Sequence, residues 1–287
     1  MKTAQQIRSA AVIGAGTMGH GIAHALAMCG VETRLVDLDP AALARGLASV
    51  KSNLDKGVEK QKVTPAERDA ALAKLSGSGD FDAAVRGADV VIEAVPENID
   101  LKRKIFGKLG ALCASDALLA TNTSSLPITN IADACAHPER VAGMHFFNPV
   151  HIMKLVEVVR AKQTSNDAAQ LALDLSRRMG KDPIDVQDSP GFASSRLGLV
   201  IGLEAMRMFE GGVATAEDID KAMVLGYGFP MGPLKLTDLV GLDVRLAIAE
   251  HLEREIGPRF APPRVLRDKV ARGELGKKSG QGFYSWT

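Results

Sequence analysis

The sequence predicts an α/β chain: a doubly wound, mostly parallel sheet in residues 1–188, then an all-helical domain in residues 189–287. Three observations carry this reading. A short apolar run, 10–13, leads at once into Gly14-Ala15-Gly16-Thr17-Met18-Gly19. Strand-like apolar runs then alternate with helix-period segments as far as 184–186, the pattern of parallel strands joined by crossover helices. Beyond Asp188-Ser189-Pro190-Gly191 only helical periodicity follows.

The first element is read from its glycines. Gly14 permits a tight turn, Gly16 lets the backbone approach a pyrophosphate, and Gly19 lets helix and strand pack closely. A helix over 17–29 then offers its N-terminal N–H groups to phosphates. Gly30 ends it, and 31–37 reads as a second strand closing on Asp37. That acid lies about 20 residues past the glycines, where a Rossmann-type sheet binds the ribose. G-x-G-x-x-G alone is a weak signal in a chain with 28 glycines, and an unliganded glycine turn is its plain alternative. Strand, turn, helix, strand and acid in this order point to a dinucleotide. A carboxylate accepts from a ribose 2′-OH and repels a 2′-phosphate, so Asp37 favours NAD over NADP.

In order, 40–60 reads as a long helix with Leu43, Leu47, Val50 and Leu54 on one face. Its far end carries Lys51, Lys56, Lys60 and Lys62, either a solvated face or a dock for an anionic group. A helix over 65–75 ends at a break, Gly77-Ser78-Gly79-Asp80. A buried strand at 88–95 runs into Pro96-Glu97-Asn98, and a helix follows at 100–112. A strand at 118–121 runs into the polar loop 122–127, followed by a short helix at 128–134. Strands at 141–147 and 155–159 carry His145 and Glu157. A helix at 166–179 has Asn166 as its expected cap and Gly180 as its end, and 184–186 is the last strand. Gly14, Asp37, Glu97, Ser124 and His145 all fall at or just past strand carboxyl ends, where such sheets bind ligands. In the second half, helices are expected over 192–210, from Thr215, over 234–256 and over 263–272.

Composition narrows the function classes. The chain is 46% hydrophobic and 24% charged, as for a globular protein with an ample core. A net charge of +1 and 4% aromatics give no sign of a nucleic-acid partner. No apolar run is long enough for a bilayer and residues 1–9 lack a signal-peptide core, so no membrane role and a cytoplasmic location are expected. Cys29, Cys113 and Cys135 form neither a metal pattern nor a disulfide framework. No metal site is expected.

A nicotinamide cofactor carries hydride; the protein must supply a base and hold the substrate oxygen. Oxidising an alcohol removes the hydroxyl proton as hydride leaves carbon, and histidine suits that near neutral pH. Of six histidines, His145 stands out, near a strand end within Met144-His145-Phe146-Phe147-Asn148-Pro149. Glu157 on the next strand is its candidate partner, fixing the tautomer and stabilising the imidazolium. Ser124 and Asn148 are candidates to hydrogen-bond the substrate oxygen. The alternative for His145 is an ordinary core histidine.

At these residues the chain resembles the short-chain L-3-hydroxyacyl-CoA dehydrogenase family, nearest its 3-hydroxybutyryl-CoA members. The matching stretches are 14–23, 93–98, 122–126, His145-Phe146-Phe147-Asn148-Pro149, 154–159, Pro190-Gly191-Phe192, Pro230-Met231-Gly232-Pro233 and 276–284. The resemblance implies reversible NAD-dependent oxidation of an (S)-3-hydroxyacyl-CoA, with His145 as base and Glu157 as its orienting acid. It implies that Glu97, Lys102 and Lys278 lie near the cofactor together with Ser124 and Asn148. It also implies that Asn53 and Lys60 touch coenzyme A, and that the helical domain forms a homodimer contact. One departure concerns substrate binding from that domain: the family's Asn-Arg after Pro-Gly-Phe is here Ser195-Arg196, and a hydroxyl cannot make an amide's contacts. Alternatives are the same architecture acting on a non-CoA hydroxy acid such as a sugar acid or carnitine, a non-catalytic nucleotide-binding protein, or an interaction module in the helical half.

Overall fold

The computed structural model describes residues 1–286. They divide into two compact units, Met1–Ser189 and the residues from Pro190 onward.

The first unit is built on one eight-stranded sheet. In chain order it runs β1 (Ser9–Ile13), α1 (Thr17–Met28), β2 (Glu32–Val36), α2 (Pro40–Glu59), α3 (Pro65–Ala73), β3 (Leu75–Ser78), α4 (Phe81–Val85) and β4 (Val90–Glu93). It continues with α5 (Ile99–Leu112), β5 (Leu118–Thr121), α6 (Ile128–Ala132), β6 (Val141–Phe146), β7 (Leu155–Arg160), α7 (Asn166–Arg178) and β8 (Asp182–Gln187). The spatial order is β3-β2-β1-β4-β5-β6-β7-β8, so the chain reverses direction across the sheet between β1 and β4. Such a reversal opens a crevice at the carboxyl ends of the two strands. The central strands β4, β5 and β6 are buried throughout, as expected where helices cover both faces, whereas β3 and β8 at the edges are mostly polar.

All neighbouring strands are parallel except β6 and β7. The connection over 147–154 is too short for a helical crossover, so β7 must return beside β6 in the opposite sense. That return sets His145 directly opposite Glu157.

Three details of this unit differ from the sequence expectation. Gly77-Ser78, expected as a break, belongs to β3. A Cβ at Gly77 would stand 2.8 Å from Leu47 and 3.3 Å from Leu43, so the bare backbone makes room for the apolar face of α2. The helix Phe81–Val85, capped by Asp80, was not expected either. Helix α7 is capped by Ser165, whose hydroxyl accepts the Ala168 N–H, and not by Asn166, which is already helical and accepts from Arg160.

The second unit holds α8 (Ser194–Glu210), α9 (Ala216–Tyr227), α10 (Pro233–Val240), α11 (Leu242–Ile256) and α12 (Arg264–Ala271). The expected single helix over 234–256 is two, because Gly241 at φ +105° leaves the helical region and ends the first. Leu199, Leu203, Met206, Leu234, Leu252 and Leu266 form its core. Asp238 is fully buried and accepts the backbone N–H groups of Phe283 and Tyr284 and the Trp286 indole N–H, each at 2.9 Å, which ties the C-terminal segment to α10. Among the described residues no helix is long and apolar enough to cross a membrane, and no cluster of metal-ligating side chains occurs.

Candidate active site

The glycine turn lies where the chain reverses across the sheet. Gly14 has φ +98°, and a Cβ there would come within 2.7 Å of the Ala94 carbonyl oxygen. A Cβ on Gly19 would sit 1.7 Å from the Gly14 carbonyl oxygen, so strand and helix meet backbone to backbone. Gly16 differs: nothing lies within 4 Å of its missing Cβ. It also caps α1 without a side-chain acceptor, so no side chain of the cap competes for the helix's first N–H groups. A cavity of about 690 Å³ opens over this turn, lined by Gly14, Gly16, Asp37, Leu38, Phe81 and Ile105 among others. Asp37 accepts the Ala15 N–H at 2.9 Å through one oxygen and the Asp39 N–H at 3.0 Å through the other. Open backbone at a helix start, a carboxylate in the wall and apolar flanks fit the pyrophosphate, ribose and adenine of a dinucleotide.

On β6 and β7, His145 Nδ1 lies 2.7 Å from Glu157 Oε2. Glu157 is fully buried and His145 nearly so, and the Phe147 ring stands 4.6 Å from the imidazole. A carboxylate at Nδ1 fixes the ring's orientation and stabilises its protonated form.

Ser124 sits on the loop after β5, and Glu97 anchors that loop. One Glu97 oxygen accepts the Thr123 hydroxyl at 2.5 Å, the N–H groups of Ser124 and Ser125 at 3.0 and 3.2 Å, and the Ser125 hydroxyl at 3.1 Å. Burial alone would raise the Glu97 carboxyl, but the Thr123 hydroxyl, the Lys102 charge and the loop donors outweigh it and hold it below the usual range. Lys102 is fully buried, 2.7 Å from Glu93 and 3.6 Å from Glu97. Asn122 closes the loop's other side, its amide oxygen accepting the Phe146 N–H at 2.9 Å. Phe146 directly follows His145 in the chain, so the Ser124 loop and the His145 strand share one framework.

Asn148 is exposed two residues beyond β6, before a cis Pro149. Asn53 and Lys60 stand at the far end of α2, where Lys51 of the same basic run is paired with Asp55 at 2.8 Å. Ser195 lies in the first turn of α8, and Lys278 pairs with Asp243 at 2.5 Å. Sequence reasoning passed over Glu93, Thr121, Thr123 and Asn122. The available signal was an acid, Glu93, inside an apolar strand, since a buried carboxylate requires a partner.

Comparison with known proteins decides the family. A family model described as the 3-hydroxyacyl-CoA dehydrogenase NAD binding domain matches residues 9–189, and one described as the C-terminal domain of 3-hydroxyacyl-CoA dehydrogenase matches 191–286. The chain belongs to the 3-hydroxyacyl-CoA dehydrogenase family. It is an NAD-dependent oxidoreductase of that family. A probable 3-hydroxybutyryl-CoA dehydrogenase of Bacillus subtilis is 44% identical over 282 residues, covering 98% of each chain. The mitochondrial hydroxyacyl-coenzyme A dehydrogenase of Rattus norvegicus is 41% identical, covering 98% of this chain and 91% of its own. The crystal structure of (S)-3-hydroxybutyryl-CoA dehydrogenase from Ralstonia eutropha aligns with a TM-score of 0.94 at 42% identity, over 98% of this dehydrogenase and 100% of that one.

Proposed function

We propose that this dehydrogenase interconverts a short-chain (S)-3-hydroxyacyl-CoA, 3-hydroxybutyryl-CoA foremost, and its 3-ketoacyl-CoA, with His145 as general base. The observation that carries the reading is the 2.7 Å contact between His145 and Glu157. Bound on the glycine turn, NAD would supply the acceptor for the C3 hydride. Glu157 takes Nδ1, so the hydroxyl proton leaves through Nε2, and the buried carboxylate stabilises the imidazolium that results. Ser124 and Asn148 hold the C3 oxygen so that its proton faces the imidazole. Residues Gly14 to Gly19 receive the pyrophosphate, and Asp37 accepts from the adenosine ribose. Glu97 and Lys278 serve the cofactor side, with the buried Lys102 behind Glu97, Asn53 and Lys60 serve the coenzyme A phosphates, and Ser195 the substrate from the helical unit.

The helical unit forms a homodimer. Leu225 and Tyr227, 81% and 77% exposed near the end of α9, are large apolar side chains that a subunit contact would cover. The free cysteines suit a reducing compartment such as the cytosol.

Following NADH absorbance with acetoacetyl-CoA, free acetoacetate and longer 3-ketoacyl-CoAs tests the substrate reading. Turnover is expected with thioesters and highest at short chain length. Faster turnover of the free acid would favour a non-CoA hydroxy acid.

A further inference from the structure

Beneath the Ser124 loop lies a ring of polar groups whose inner members, Glu93, Lys102 and Thr121, are buried. Glu93 ends β4 and Thr121 ends β5, directly opposite in register. The Thr121 hydroxyl donates to one Glu93 oxygen at 2.7 Å. The other accepts the Val95 N–H at 2.6 Å and the Lys102 ammonium at 2.7 Å. Lys102 comes from the first turn of α5, donates also to the Val95 carbonyl at 3.2 Å, and has Glu97 at 3.6 Å. Glu97 then grips Thr123, Ser124 and Ser125, and the chain returns through Asn122 to Thr121. Glu93, Lys102 and Thr121 are all fully buried.

Two carboxylates thus share one buried ammonium, Glu93 out of water and Glu97 with its side chain 37% exposed. The ammonium donates to Glu93 and to the Val95 carbonyl, faces Glu97 at ion-pair distance, and sits on a side chain only 1% exposed, so it offers no open surface to a bound molecule. Without Lys102, the buried Glu93 carboxylate would lose its cation and Glu97 its neighbouring charge, and the oxygen of Glu97 that orders the loop would move.

We propose that Glu93 and Lys102 are positioning residues for Ser124: a buried pair that touches neither substrate nor cofactor and acts by fixing Glu97, which fixes the loop. This rests on the reading of Ser124 as a group that holds the substrate oxygen. It assigns Lys102 a place behind the cofactor site rather than in it.

A double-mutant cycle between Lys102→Met and Ser124→Ala tests it, with kcat measured at saturating NADH and the NADH Kd by fluorescence. Lys102→Met is expected to lower kcat about tenfold or more, the scale of a displaced substrate-holding group, with Kd changed less than about threefold. The double variant is expected to be no slower than Ser124→Ala alone, because a lost hydroxyl cannot be mispositioned. Adding Glu93→Gln to Lys102→Met is expected to recover several-fold in kcat by removing the unpaired second carboxylate. A raised Kd with unchanged kcat would make Lys102 a direct cofactor ligand, and multiplied losses in the double variant would cut its link to Ser124; either overturns the proposal. Normal turnover in Ser124→Ala alone would instead remove the reading of Ser124, and the proposal with it. If Lys102→Met does not fold, Thr121→Val takes one hydrogen bond from Glu93 without unpairing a charge. Its kcat loss is expected to disappear in the Ser124→Ala background, and a loss that persists there contradicts the proposal.

Discussion

His145 and Glu157 are held together twice, by strand register and by a side-chain contact. They are directly opposed residues on the one antiparallel strand pair of the sheet, and their side chains meet at 2.7 Å. The backbone ladder therefore fixes the distance before the side chains choose rotamers, and burial keeps water from competing for the carboxylate.

Glu157→Gln should separate orientation from charge. The amide can still meet Nδ1 but cannot stabilise an imidazolium. We expect kcat to fall at least about tenfold, with NADH affinity within about threefold. Equal losses in kcat and NADH affinity would point to a damaged fold rather than to lost charge.

The glycines of the turn should respond differently to alanine. At Gly19 the new Cβ would stand 1.7 Å from a carbonyl oxygen, so Gly19→Ala should lower Tm by several degrees and abolish NADH binding. At Gly16 the backbone suits alanine and nothing lies within 4 Å, so Gly16→Ala should leave Tm unchanged. Its methyl would enter the place proposed for the pyrophosphate, and NADH affinity should fall about tenfold or more. Differential scanning fluorimetry with and without NADH checks both.

On the proposed reading, Asp37→Ala removes the acceptor for the ribose and the repulsion of a 2′-phosphate together. Affinity for NAD should drop much more than affinity for NADP. Equal losses, measured by titration with both reduced cofactors, would show that Asp37 only braces the turn through Ala15.

Acid should weaken the first unit through His24. Burial, aided by the neighbouring His151, Lys181 and His20, lowers this imidazole to about 4 from an ordinary 6.5. The unfolded chain then binds the proton more readily than the folded one. His24's contribution to stability is whole above pH 6.5, declines as pH falls toward 4 and levels off below, at roughly 1 kcal/mol per pH unit in that window. Urea unfolding at pH 7, 6 and 5 of wild type and His24→Gln should show a shallower acid decline in the variant.

Most of the fold and the central pair were legible because their signals are local. Apolar runs and a glycine pattern mark strands and turn, and two strands in succession carry a His and a Glu. What escaped reading depends on contacts distant in sequence. Leu75–Ser78 is a strand only because β2 and α2 lie beside it, and its Gly-Ser composition reads as a break. The role of Thr121 and Asn122 follows from Glu93 and Phe146, far along the chain, and no spacing rule announces such pairs. Gly241 divides two helices whose apolar pattern runs through the break.

The central claim is that the His145 imidazole takes the hydroxyl proton. Its most direct test is steady-state turnover of acetoacetyl-CoA by His145→Gln at saturating NADH, with NADH binding measured on the same sample. We expect kcat to fall about 10²- to 10⁴-fold, the usual worth of a general base, with NADH bound as in the wild type. Wild-type turnover in a variant that still binds NADH would contradict the account.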